Sequence, residues 1–294
     1  MTKRICKQII RGQHAVDGAG VHLRRVLGLI TIKDFDPFLM LDGFDSSNPR
    51  DYIRGFPWHP HRGIETVTYL LKGEIEHGDS LGNQDYIRDN QCQWMTAGSG
   101  IIHQEMPKAS DRLLGCQLWV NLPQKDKMTE PAYHDIQQQD IVLVQENNAT
   151  VRILSGNYHG YHGPMKSEYV KVQYLDVNLD PDSIWNYQET SNDQTLFLYL
   201  IEGTLAADKT LEQFEENACA ILLSASSTEN SEYDEVVVKA GAKGARFFLI
   251  AAKPLKEPVA WGGPIVMNTR EELDEAFREL DNSTFIKHDN PQMH

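Results

Sequence analysis

The sequence predicts an all-β chain: two copies of one barrel module, followed by a short C-terminal α-helix. Three observations predict it. Short runs of β-branched and aromatic residues recur between glycine-containing turns such as Gly73, Gly78, Gly82-Asn83 and Gly98-Ser99-Gly100, the pattern of a sandwich or barrel. One run is repeated: Val67-Thr68-Tyr69-Leu70-Leu71-Lys72-Gly73 matches Phe197-Leu198-Tyr199-Leu200-Ile201-Glu202-Gly203, 130 residues on in a chain of 294. Such an offset, close to half the chain, fits a duplicated module. Only one stretch carries a strong helix start signal.

Taken in order, strands are predicted at Glu65–Leu71, ending at Lys72-Gly73, and at Leu113–Asn121, ending before Pro123. The polar, Gln-rich stretch from Pro123 to Asn148 is the natural boundary, which divides the chain into 1–138 and 139–294. Further strands are predicted at Val170–Val177, Thr195–Ile201, Ala218–Leu223 and Phe247–Ala251. Thr269-Arg270-Glu271-Glu272 reads as a capping box. Leu273, Ala276, Phe277 and Leu280 follow at helical spacing, so a helix is predicted over 269–281 with one apolar face.

Composition narrows the function. With 28 basic and 42 acidic residues the net charge is −14, and no basic stripe offsets it. Direct nucleic-acid binding needs phosphates neutralised by Lys and Arg, and anionic membrane surfaces are disfavoured by the same sign. No apolar run approaches the length of a membrane span. The Met1–Lys7 stretch lacks a signal peptide's apolar core, so a cytoplasmic location is expected, with a nuclear pool only in a eukaryote. Cys6, Cys92, Cys116 and Cys219 form no CxxC pair, which fits a reduced intracellular protein rather than a disulfide framework or a cysteine zinc site.

Two triplets carry chemistry. His59-Pro60-His61 and His103-Gln104-Glu105 each place two potential ligands at i and i+2, one face of an extended chain. Brought together, they offer three imidazoles and a carboxylate, a set suited to a divalent transition metal. Pro60 stiffens the first pair. Three neutral imidazoles and one carboxylate leave two positions of a six-coordinate ion open, as in mononuclear non-haem Fe(II) sites; Mn, Co, Ni, Cu or Zn also suit such a set. Glu65, four residues after His61, competes with Glu105 as the carboxylate, and spacing does not choose between them. Phe56, Trp58, Trp94, Met95, Met106 and Trp119 form either an aromatic mouth for a flat substrate or plain core. His159 and His162 flank Gly160 at a spacing that suits neither strand nor helix, and are taken as loop residues.

Pro57–Leu71 (PWHPHRGIETVTYLL) and Gln93–Pro107 (QWMTAGSGIIHQEMP) resemble the two metal motifs of pirins, members of the cupin superfamily. Asp36–Leu39, Gln117–Pro123 and Gly263–Thr269 are further pirin-like segments, so the resemblance spans nearly the whole chain. It implies a bicupin: two face-to-face cupin β-barrels, of which only the N-terminal one keeps a metal. It implies His59, His61, His103 and Glu105 as ligands, and leaves Glu65 to orient a ligand or a bound acid. It further implies a quercetin 2,3-dioxygenase type of enzyme, opening a flavonol with O₂ and releasing CO. Glu105 or Glu65 would then be the catalytic base. The alternative it implies is a non-enzymatic, iron-dependent regulator that binds a transcription factor or metabolic enzyme.

Overall fold

The computed structural model describes residues 2–224 and 233–288. The chain is mostly β and forms two compact units. Among the described residues no helix is long and apolar enough to cross a membrane.

One unit comprises His14–Ile30, Phe38–Gln138 and Leu255–His294. Its seven-stranded sheet runs in the order Ala132–Ile136, Gln91–Thr96, Ile64–Lys72, Leu113–Asn121, Phe38–Ser46, Val21–Leu27, Gln13–Asp17. A four-stranded sheet runs Phe56–His61, Ile101–Pro107, Ile75–Asp79, Gln84–Ile87. Apolar side chains from both sheets, among them Leu23, Phe44, Leu70, Ile75 and Ile87, share one core. Ile101–Pro107 alternates strictly, with Ile101, His103, Glu105 and Pro107 on its buried phase. The β periodicity therefore sends both ligand candidates of the second triplet inward.

The other unit comprises Met1–Gln13, Thr31–Pro37 and Gln139–Pro254. Its path runs Val142–Gln145, Ala149–Ser155, Gln173–Leu179, Tyr233–Ala252, Thr195–Ala206, Cys219–Leu223, Cys6–Arg11. Trp185, Leu198, Leu200, Ile221, Val236 and Leu249 join its apolar core. The repeat has a topological counterpart. Ile64–Lys72 lies between Gln91–Thr96 and Leu113–Asn121, and Thr195–Ala206 lies between Cys219–Leu223 and Tyr233–Ala252. Each is flanked by two later strands, which start 27 and 49 residues on in the first case and 24 and 38 in the second, as in a duplicated supersecondary unit.

The linear division at 138/139 needs correction at both ends of the chain. The N-terminal strand Cys6–Arg11 pairs with Cys219–Leu223, and the buried Arg4 guanidinium lies 3.3 Å from the buried Asp234 carboxylate. These contacts place residues 1–13 with the second unit. The C-terminal segment joins the first. Val266 N–H donates to the Arg62 carbonyl at 3.1 Å, and Ile265, Met267, Leu273, Ala276 and Phe285 form their own apolar cluster. The helix spans Arg270–Asp281, with the Thr269–Glu272 capping box formed as predicted. The strand expected at Val170–Val177 begins only at Gln173.

Lys127 pins this return. Its buried ammonium donates to the Gly63 carbonyl at 2.8 Å, Asn121 Oδ1 at 2.7 Å and the Val266 carbonyl at 2.9 Å. Burial pushes the group down to about 7, yet three acceptors match the three N–H bonds of a charged amine. Lys127→Met would strand those acceptors, at about 1–3 kcal/mol for each left unsatisfied. A clear fall in the urea midpoint is expected; an unchanged midpoint would mean that the lysine contributes nothing net.

Candidate metal centre

The two triplets meet on adjacent strands. Phe56–His61 pairs antiparallel with Ile101–Pro107, with His59 opposite His103 and His61 opposite Ile101. One ligand atom from each of His59, His61 and His103 falls within 4.8 Å of the others. Among the described residues this is the group of three with metal-ligand spacing. His61 and His103 are buried, and His59 is partly exposed.

Hydrogen bonds fix two of the three tautomers. His59 Nδ1 lies 2.8 Å from the Pro57 carbonyl, and His61 Nδ1 lies 3.1 Å from the Pro264 carbonyl. A carbonyl only accepts, so each Nδ1 carries the proton and each Nε2 presents a lone pair. The buried His61 Nε2 and both nitrogens of His103 have no hydrogen-bond partner. Burial, with the neighbouring His59 second, pushes His61 down to about 3. His103 is held well below the usual range, by burial first and then by His59, His61 and His77. His61 and His103 are therefore held as neutral imidazoles with bare lone pairs. That is the protonation state a divalent metal requires of its ligands, and the donor set fits one.

Glu105 faces the same cavity as His59 and His61. Gln117 Nε2 donates to both Glu105 oxygens at 2.9 Å, and Thr68 Oγ1 donates at 3.1 Å. Trp119 Nε1 donates to Gln117 Oε1 at 3.0 Å, which orients the amide so that its NH₂ meets the carboxylate. Glu65 sits elsewhere. It is buried, takes a 2.8 Å hydrogen bond from Thr96, and is outside the cavity lining.

The cavity holds about 610 Å³, within the range of small-molecule sites. Phe56, Trp119, Trp261 and Met40 supply apolar wall, and Asp17, Arg25 and Asp42 supply a charged edge. Arg25 is engaged there by Asp42 at 2.7 Å and by Asp17 at 2.7 Å. Of the aromatic-mouth candidates, Phe56 and Trp119 line the cavity. Trp94 and Met95 are fully buried core, and Trp58 is exposed. Sequence reasoning missed Gln117, Trp261 and the Pro264 carbonyl. Gln117 carried a findable signal: it stands two residues before Trp119, on the same strand face.

The pirin domain model matches residues 20–120, and the model of the pirin C-terminal cupin domain matches residues 174–286. A pirin-like protein of Caulobacter vibrioides is 39% identical over 97% of this chain and 100% of its own.

The chain belongs to the pirin family.

A Pseudomonas aeruginosa relative, named as a candidate quercetin 2,3-dioxygenase, is 40% identical over 91% of this chain and 93% of its own. A crystal structure of quercetin 2,3-dioxygenase from Acinetobacter baumannii matches with a TM-score of 0.83 at 27% identity, covering 97% of this chain and 99% of that one. Each unit of this pirin corresponds to a cupin-type domain. Of the two histidines taken as loop residues, His159 sits in the tight His159-Gly160 turn, whereas His162 ends the two-residue strand Tyr161–His162 that pairs with Asn157–Tyr158. Both histidines lie outside the metal-spaced group.

The lowered His61 and His103 set a pH dependence. Below about 6.5 the unfolded chain takes up protons that the folded one refuses. The stability of the metal-free protein is therefore complete above that pH and falls as pH drops toward 3. The urea midpoint should be lower at pH ~5 than at pH ~7, and His103→Phe should lessen the drop. A midpoint constant over this range would contradict neutral burial.

Proposed function

We propose that this pirin is a metal-dependent dioxygenase of the quercetin 2,3-dioxygenase type, acting on a small chelating flavonol-like substrate. The observation that carries the reading is three converging imidazoles, two of them with buried, unpartnered nitrogens, beside an aromatic-walled cavity of about 610 Å³. The proposed ligands are His59, His61, His103 and Glu105. Three nitrogens and one carboxylate with open positions favour Fe(II). The names of the relatives support the same activity.

Bound there, the metal would act as a Lewis acid that lowers the pKa of a chelated hydroxyl and holds the substrate beside O₂. The chain's own residues do the rest. Phe56, Trp119 and Trp261 flank a flat ring and keep water from it; the last two rings stand 5.8 Å apart. Glu105, the carboxylate that faces the cavity, takes the hydroxyl proton. Gln117 holds both of its oxygens in place. Glu65, bonded to Thr96, supports the wall. In the overall reaction one O₂ is consumed per flavonol, both of its atoms enter the opened acid, and one ring carbon leaves as CO.

The test is O₂ uptake by anaerobically Fe(II)-loaded protein given quercetin, against the metal-free form and His103→Ala. Uptake that requires metal, matches quercetin loss one to one and disappears in His103→Ala is the expected result. No uptake by protein shown to hold metal would overturn the enzyme reading in favour of a metal-dependent regulatory protein.

A further inference from the structure

His61 is flanked by a built attachment for the C-terminal segment. Next to it, the buried Arg62 side chain is fully engaged. Its Nε donates to the Ser99 carbonyl at 2.7 Å and its Nη2 to the Phe285 carbonyl at 2.8 Å. Nη1 lies 2.7 Å from Glu279 of the C-terminal helix, and the guanidinium carbon stands 4.1 Å over the Phe285 ring. On the other side of Gly63, Lys127 joins the Gly63 and Val266 carbonyls. A Cβ on Gly63 would lie 2.0 Å from the Val266 oxygen, and one on Gly100 would lie 3.0 Å from the Phe285 oxygen. Both glycines have positive φ, so this close approach needs them. Two residues before Val266, the Pro264 carbonyl accepts a hydrogen bond from His61 Nδ1.

We propose that residues 264–285 form a positioning strap for His61, with Arg62 as the positioning residue that holds the strap and so sets metal affinity. The inference rests on the reading of His61 as a metal ligand. The acceptor behind a ligating imidazole fixes its tautomer and ring orientation and raises its basicity, and loss of such a partner typically costs about 10- to 100-fold in metal affinity. Here that acceptor is a backbone carbonyl more than two hundred residues away in sequence. Its place depends on the guanidinium, the lysine and the helix they anchor. Linkage makes the effect reciprocal: metal on His61 must tighten the strap by the same free energy.

Two measurements test this. Affinity for Ni(II), read by competition with a chromophoric chelator, should fall about 10- to 100-fold in Arg62→Met and less in Glu279→Gln, which keeps the remaining Arg62 contacts. In the wild type, Ni(II) should slow amide exchange in the helix Arg270–Asp281 and at Val266, and Arg62→Met should weaken that response. A purely structural Arg62 would lower the melting temperature while leaving Ni(II) affinity and metal-dependent exchange unchanged. That result would overturn the strap. Wild-type protein that takes up no Ni(II) would overturn the site reading and the strap with it. If Arg62→Met does not fold, Glu279→Gln carries the test, and unchanged affinity and exchange in that variant count against the proposal.

Discussion

The constraint on which the site depends is the cost of burying imidazole nitrogens without hydrogen-bond partners. Buried polar atoms are nearly always paired, and each exception costs about 1–3 kcal/mol. Here three such atoms, His61 Nε2 and both nitrogens of His103, lie within one small volume. The core of the other unit is filled by aliphatic side chains such as Leu198, Leu200, Ile221 and Leu249. A core that carries bare imidazoles gives up packing energy that a bound cation would restore.

Distance along the chain matters less than register. Antiparallel pairing puts His59 opposite His103 and settles most of the geometry with two short strands. The remainder is orientation. Pro57 fixes one ring from two residues away, and Pro264 fixes another from the far end of the chain. Gln117, itself held by Trp119, does the same for Glu105. At the cavity edge Arg25 is already engaged by two carboxylates.

Much of this was legible in the sequence, for identifiable reasons. The i, i+2 spacing of His59/His61 and His103/Glu105 survives into structure because a strand has period two. The capping box at Thr269 is a local signal and appears in place. The repeat from Val67 to Phe197 marks equivalent central strands because the duplication kept their topology. Spacing left Glu65 and Glu105 open; in the structure Glu65 is buried against Thr96 and Glu105 faces the cavity. The Pro264 contact was invisible, because a backbone carbonyl has no residue-type signature. The crossing of both chain ends between units was also hidden, since the contacts that decide it pair residues such as Arg4 with Asp234 and Arg62 with Glu279. A linear boundary follows composition, whereas compact units follow strand pairing and buried charge.

The most direct test of the central claim is X-ray absorption at the metal edge of the Fe(II)-loaded protein. The account predicts a first shell of three imidazole nitrogens, from His59, His61 and His103, with a carboxylate oxygen from Glu105 and light-atom donors in any remaining positions. It further predicts loss of one imidazole shell in His61→Ala. Fewer than three imidazoles in the wild type, or a sulfur ligand, would contradict it.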